Sequence, residues 1–360
     1  MGLGSLRPVK VLSVVGARPQ FVKLAPISRA LAARGIEHEV IHTGQHYDAK
    51  MSDVFFDDFG IPEPDVNLEI GSGSHGLQTG LMLQALEPAI EDSAPDWVLV
   101  YGDTNSTLAA ALAAVKIGTR VAHLEAGLRS FNRTMPEEHN RILTDHSADL
   151  LLAPTQLAVD NLAREGLADK TRLVGDVMAD ICLSVAEVVR VVPPPDFDLP
   201  DGDFLLATRH RPYNTDDPER LRRIIAGLAV SPVPVFLAAH PRLVAKAHDA
   251  GIDLDAGAVT AIEPLSYPSL VYAAATAAGV VTDSGGLQKE AYLLGVPCTT
   301  VRSETEWVET LDGGWNMLVF DDLEGLAELA LRGAPTVERP PVFGTGHAAE
   351  EVVDALSSTP

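Results

Sequence analysis

The sequence predicts an α/β protein of two Rossmann-like, doubly wound domains, and three observations carry that expectation. Short β-branched apolar runs alternate with segments of helical periodicity, the pattern of parallel sheets covered on both faces. The alternation stops at Pro193-Pro194-Pro195 and the acidic stretch to Asp203, where neither a helix nor a central strand can continue, and a second series then begins. At 360 residues, 46% of them hydrophobic, the chain exceeds what one core usually serves. The expected division is 1–192, 193–344 and a C-terminal helix over 345–360 that packs back on the first domain.

In the first series strands are expected at 9–15, 37–42, 97–101, 120–124, 150–153 and 172–174, with helices at 22–33, 77–91 and 107–116 between them. The first strand runs into Gly16-Ala17-Arg18-Pro19-Gln20-Phe21-Val22-Lys23, which lacks the second and third glycines of a dinucleotide fingerprint and carries Arg18 and Lys23 instead. Cations at a helix N-terminus oppose the helix dipole, so an anion is the physical reason for them. The second series places strands at 204–207, 235–239, 258–261, 279–282 and 298–301.

One turn of that second series reads as a phosphate site. An apolar run over 274–281, read as a strand, leads into Thr282-Asp283-Ser284-Gly285-Gly286-Leu287-Gln288-Lys289-Glu290 and a helix that ends at Gly295-Val296-Pro297. Unpaired N–H groups and the positive dipole end meet there, two glycines allow close approach, and Glu290 lies one turn further in, where a carboxylate reaches a ribose. Ligands of such sheets lie beyond the carboxyl ends of the strands. The loops there carry Asp103, Glu125, Arg129, His210, Arg211 and His240.

A formal net charge of −23 argues against nucleic acid and leaves Arg18, Lys23, Arg129, Arg133, Arg141, Arg209 and Arg211 as the informative cations. Cys182 and Cys298 sit in apolar segments and read as core residues, and His42, His46 and His75 lack ligand spacing, so no metal is expected. Without a signal peptide or a membrane-length apolar run, a soluble cytoplasmic protein is expected.

Ordered along the chain, Gly16-Ala17-Arg18-Pro19 with Lys23, Thr43-Gly44-Gln45-His46, Gly102-Asp103-Thr104, His123-Leu124-Glu125-Ala126-Gly127-Leu128-Arg129, Pro136-Glu137-Glu138-His139-Asn140-Arg141, His210-Arg211 and Thr282 to Glu290 resemble the non-hydrolysing UDP-N-acetylglucosamine 2-epimerases over nearly the whole length. The resemblance implies a glycosyltransferase-B architecture with its two domains facing across a cleft, a homodimer, and inversion at C2 of UDP-GlcNAc to give UDP-ManNAc without NAD or metal. It implies anti elimination of UDP to 2-acetamidoglucal followed by re-addition. By motif, Asp103, Glu125 and Glu137 become the acid/base candidates and His210 lies by the leaving diphosphate. Arg18, Lys23, Arg141, Arg211, His240, Ser284, Gly285, Gly286 and Glu290 become substrate ligands, and Tyr267 falls near uracil. Which carboxylate serves which face of C2 stays open.

Three departures bear on substrate and regulation. Gln20 stands where the family often has Glu, Tyr213 replaces the Glu of a His-Arg-x-Glu-Asn motif, and Thr305-Glu306-Trp307-Val308-Glu309 replaces Thr-Glu-Arg-Pro-Glu. The loss at Tyr213 leaves allosteric sensing of a substrate molecule undecided. Together with Arg302-Ser303-Glu304 before it, Gly71-Ser72-Gly73-Ser74-His75-Gly76 and Asn214-Thr215-Asp216-Asp217, the third resembles the branch acting on sugars modified at C3 and C6, such as diacetamido uronic acids; UDP-GlcNAc remains the first choice. A hydrolysing relative that releases ManNAc and a UDP-sugar glycosyltransferase are the rival readings.

Overall fold

A computed structural model describes residues 9–45, 63–195 and 200–359, apart from the Arg18 side chain; His46 also lies outside the described residues. Its contacts divide the chain into two compact bodies, one of residues 1–181 with 342–360 and one of residues 182–341. Composition places the boundaries at 192/193 and 344/345 instead. The difference at the first boundary arises because one helix, α6 (Val177–Val191), continues unbroken up to the prolines.

The first body contains β1 (Lys10–Val15), α1 (Arg18–Ala33), β2 (Glu37–His42), β3 (Val66–Asn67), α2 (His75–Ser93), β4 (Trp97–Tyr101), α3 (Asn105–Lys116) and β5 (Arg120–Leu124). It continues with α4 (Pro136–Ser147), β6 (Leu150–Ala153), α5 (Gln156–Arg164), β7 (Thr171–Leu173) and the start of α6. Every pairing among these strands is parallel, in the order β3-β2-β1-β4-β5-β6-β7. Buried on both faces, the central strands need no alternation, and β4 is apolar throughout, with all its residues inaccessible. Each large side chain so buried contributes about 1.5–3 kcal/mol. On one face Leu24, Ile27 and Leu31 of α1 pack with Val352, Val353 and Leu356 of the terminal helix, α13 (Ala348–Ser358), and Trp97 Nε1 donates to the Leu356 carbonyl at 3.2 Å. On the other face, alanines 109–111, 113 and 114 of α3 let its backbone lie close to the sheet.

The second body contains β8 (Leu205–Thr208), α7 (Pro212–Thr215), α8 (Pro218–Ala229), β9 (Val235–Ala238), α9 (Pro241–Asp249), β10 (Val259–Ile262) and α10 (Tyr267–Thr276). After these come β11 (Gly279–Thr282), α11 (Gly285–Leu294), β12 (Cys298–Thr300), β13 (Asn316–Leu318) and α12 (Leu326–Ala330). Its parallel sheet has the order β10-β9-β8-β11-β12-β13. The strand expected at 279–282 is present with those bounds, whereas the apolar run over 274–281 is wider than the strand, because its first residues end α10. Alanine suits either element, so apolarity alone did not mark the join within that run. Among the described residues no helix is long and apolar enough to cross a membrane.

Strand order reverses between β1 and β4 in one sheet and between β8 and β11 in the other. The crevice beyond the carboxyl ends at a reversal is where doubly wound sheets take ligands. These points select the turns after Val15, Tyr101, Thr208 and Thr282.

Candidate active site

At the first reversal the turn after β1 is fastened to the turn after β4. Gln20 Oε1 accepts the N–H groups of Gly16 and Ala17 at 2.8 and 2.9 Å, and its Nε2 donates to the Tyr101 carbonyl at 2.7 Å and to the Thr104 and Thr107 hydroxyls at 3.1 and 3.0 Å. A carboxylate could not donate to that carbonyl, which accounts for an amide here. Thr43 and Gln45 clasp the start of α3: Thr43 Oγ1 meets Ser106 Oγ at 2.8 Å, and Gln45 Oε1 takes Ser106 N–H at 3.1 Å. Gly16 is required because any Cβ there would collide with the Thr43 and Ser106 hydroxyls.

Two ion pairs form where the loops after β4 and β5 meet α1 and α4. Glu125, just past β5, has a left-handed backbone with φ 68°, a conformation that strains a residue bearing a side chain. Its carboxylate is buried and ion-paired with the buried Lys23 of α1. Gly102 (φ 61°) leaves room for this pair, since a Cβ there would lie 3.1 Å from Glu125 Oε2. Asp103 is paired with Arg141 of α4, whose other amino group holds Glu138 at 3.0 Å, and Asn140 Nδ2 donates to the Asp103 carbonyl at 2.9 Å.

Neighbouring glutamates of α4 differ in kind. Glu138 is buried and accepts from Ser130 N (2.9 Å), Ser130 Oγ (2.8 Å) and Phe131 N (2.9 Å). Burial would push its carboxyl up, but these donors and Arg141 bring it below the ordinary range. Glu137 is half-buried and has no hydrogen bond or ion pair to a described residue. It shares a helix face with Arg141, four residues on. A cavity of about 620 Å³ abuts this region, lined by His75, Thr79, Asn105, Arg133, His139 and Asn140.

The second reversal builds the other candidate site. Ser284 caps α11 by accepting Leu287 N–H, and Thr282 Oγ1 takes the Ser284 N–H at 3.0 Å. The first-turn N–H groups beyond have no intrahelical partner. Asp283, fully buried, accepts His210 N at 2.8 Å through Oδ1, and Arg211 N at 3.2 Å and Asn214 Nδ2 at 2.9 Å through Oδ2. The His210–Asn214 turn is thereby tied to the glycine turn. Crowding pushes the His210 imidazole below its usual pKa; Asp283 opposes this fall, and His240, Arg209 and Arg211 add to it. The Arg211 guanidinium has no hydrogen bond or ion pair to a described residue.

Arg209 is fully buried, donates to the Val281 carbonyl at 2.8 Å and lines a 220 Å³ cavity with His210, Thr215, His240, Arg242 and Leu243. His240 caps α9 through Nδ1, 3.2 Å from Arg242 N. Glu290 is buried in α11, and the Tyr267 ring packs beside Ala186, Val189 and Val271. Tyr213, at the missing Glu, lies 6.1 Å from the Phe320 ring, over which the Arg220 guanidinium sits. Trp307, at the missing Arg, takes the Lys289 ammonium on its face at 3.8 Å.

The two glycines of the turn are not equivalent. A Cβ on Gly285 would lie 2.5 Å from Glu306 Oε1, whereas one on Gly286 meets nothing nearer than Ser284 Oγ at 3.8 Å. Gly286→Ala should therefore leave thermal stability unchanged or raise it, because alanine is the better helix former by about 1 kcal/mol. The same methyl narrows the space beside the helix N-terminus, so that, were this turn a phosphate site, inorganic diphosphate would bind about tenfold or more weakly in titration calorimetry. Unchanged affinity would remove this turn as the phosphate site.

The first body thus brings Lys23, Asp103, Glu125 and Arg141 into ion pairs, with Glu137 near by on α4. The second groups His210, Arg211, Ser284, Gly285 and Gly286. Sequence reasoning missed His123, Asp145, Glu138, Asn214 and Asp283, all buried; their signal was a polar residue inside an apolar or motif segment. Arg129, one of the cations singled out in the sequence, is spent internally on Asp145 and Glu165.

Comparison with known proteins gives one consistent result. A family model described as UDP-N-acetylglucosamine 2-epimerase matches residues 29–357. A UDP-N-acetylglucosamine 2-epimerase homolog of Methanococcus maripaludis is 44% identical over 358 residues, covering 97% of this chain and 99% of the relative. A UDP-2,3-diacetamido-2,3-dideoxy-D-glucuronate 2-epimerase of Pseudomonas aeruginosa is 45% identical with the same coverage. The crystal structure of Methanocaldococcus jannaschii UDP-GlcNAc 2-epimerase in complex with UDP-GlcNAc and UDP superposes with a TM-score of 0.83 at 38% identity, over 98% of this chain and all of that one.

Proposed function

Since the chain belongs to the UDP-N-acetylglucosamine 2-epimerase family, we propose that it interconverts UDP-GlcNAc and UDP-ManNAc by reversible inversion at C2. The observation that carries this reading is the unequal state of the carboxylates: Asp103 and Glu125 are ion-paired, while Glu137 has no described partner. A C2 hydrogen with no adjacent carbonyl is too weak an acid for a carboxylate to remove first. Cleavage of C1–O leads, and the resulting oxocarbenium-like ring is stabilised by fixed carboxylates while cations take up charge on UDP. Glu137 suits the proton transfer on one face of C2, Asp103 and Glu125 suit the stabilising part and the return of a proton to the opposite face, and the Ser284-Gly285-Gly286 turn with Arg211 suits the diphosphate.

Incubation with UDP-GlcNAc in heavy water, followed by proton NMR, tests the proposal. Deuterium at C2 together with UDP-ManNAc is expected; free ManNAc with UDP would mark the hydrolysing reaction, and no exchange would exclude UDP-GlcNAc as substrate. Glu290→Ala should weaken UDP binding by about 1–3 kcal/mol in calorimetry, the scale of lost hydrogen bonds to a charged group. Unchanged affinity would contradict its place on the ribose.

A second reading, a UDP-2,3-diacetamido uronate as substrate, draws on the P. aeruginosa relative and on one atom. Arg302 pairs with Glu306 at 2.8 Å through Nη2, while its buried Nη1 has no partner among the described residues. An additional carboxylate on the sugar would satisfy such a donor, and offering that substrate in the same NMR assay decides between the two.

A further inference from the structure

The proposed acid/base carboxylates lie on three separate segments, and one buried histidine joins those segments. His123, in β5, is completely inaccessible. Its Nδ1 lies 2.7 Å from Asp145 Oδ1 and its Nε2 lies 2.7 Å from the Gly102 carbonyl oxygen, both within hydrogen-bond distance. Asp145 belongs to α4, the helix of Glu137 and Arg141; Gly102 directly precedes Asp103; and His123 itself lies two residues before Glu125.

Both partners are acceptors. A carbonyl oxygen carries no proton. Asp145 is also engaged through Oδ2 by Arg129 Nη1 at 2.7 Å and Gly127 N at 3.1 Å, donors that suit an ionised carboxylate. Burial pushes the Asp145 carboxyl up, and His123 and Arg129 more than reverse it. Other charged groups near by are Glu165 on Arg129, Lys170, whose ammonium donates to the Asp145 carbonyl at 3.0 Å, Asp149 near Lys170, and the Lys23–Glu125 pair beyond Gly102. Gly102 is held from β5 on both sides, because its N–H also donates to the Leu124 carbonyl at 3.0 Å.

We propose that His123 is a positioning residue whose two ring contacts tie the Gly102–Asp103 turn and the Glu125 strand end to α4, so that the three carboxylates are presented as one set. Its consequence for turnover rests on the 2-epimerase reading above; the two ring contacts do not.

Two measurements on the full chain test it. With ¹⁵N-labelled histidine, and His123 identified by the resonances lost in His123→Gln, the ring N–H signal should be strongly protected from exchange with water, as a ring buried between two close partners requires. A His123 ring N–H that exchanges freely would overturn the proposal, whether or not the variant folds well. In His123→Gln the amide can still reach Gly102 but not also Asp145. The rate constant for C2 exchange should fall about a hundredfold, the scale of a misplaced catalytic group, with KM unchanged. Wild-type kinetics in a folded variant, or a change confined to KM, would refute the positioning role. Absence of exchange in the wild-type chain with every UDP-HexNAc offered would instead refute the reaction, leaving the ring-exchange result to stand or fall separately.

Discussion

Glu137→Gln should abolish C2 exchange, lowering it by about 10²–10⁴-fold, the range general acid–base catalysis supplies, while the protein stays folded and binds UDP as before. The reason is its isolation: Glu137 is half-buried, with no hydrogen bond or ion pair to a described residue, so removing its charge breaks nothing structural. Glu138→Gln is the control. That carboxylate takes donors on both oxygens, from Phe131 N on one and from Ser130 and Arg141 on the other, and an amide must turn its NH₂ toward one of those sets. Glu138→Gln should therefore cost about 1–3 kcal/mol of stability, because a buried donor loses its acceptor. Exchange rates by NMR, UDP calorimetry and denaturant unfolding on both variants distinguish the roles. Full turnover in Glu137→Gln would remove it from the chemistry, and lost UDP binding would move it to the nucleotide.

Asp283→Asn should be the most damaging isosteric change in the second body. Both carboxylate oxygens face N–H donors, His210 N on one side and Arg211 N with Asn214 Nδ2 on the other, so either orientation of the amide sets donor against donor. Removing a buried charge that its partners depend on costs about 3–5 kcal/mol. The His210–Asn214 turn also loses its tie to the glycine turn, so C2 exchange should fall even where the protein remains folded. Chemical denaturation that reports this body, combined with the exchange assay, checks both parts. Wild-type stability and turnover would show that the turn is held by other contacts.

Sequence and structure agree most closely where the signal is local. Strand 97–101 was legible because a buried parallel strand reads as an unbroken apolar run, and the glycine turn at 284–286 because its chemistry is contained in a few consecutive residues. Helices α4, α5 and α6 were less legible. The first is polar, carrying Glu137, Glu138 and Arg141 for the site, and its start is marked by Pro136 at the first helical position and by the acidic pair Glu137 and Glu138 in the first turn, without an apolar stripe to support them.

By itself the sequence determined the two doubly wound domains, the order of the motifs, the family they resemble and the residue types offered at each strand end. Only the tertiary structure decided how those residues are used. Lys23 pairs with Glu125 across 102 positions, Arg141 divides itself between Asp103 and Glu138, Arg129 is spent on Asp145 and Glu165, and His123 spans two acceptors. Period and turn chemistry are properties of neighbouring residues and survive in a linear text. A charge or a proton belongs to whichever group lies within about 3 Å of it, and that distance exists only once the strands have been brought side by side.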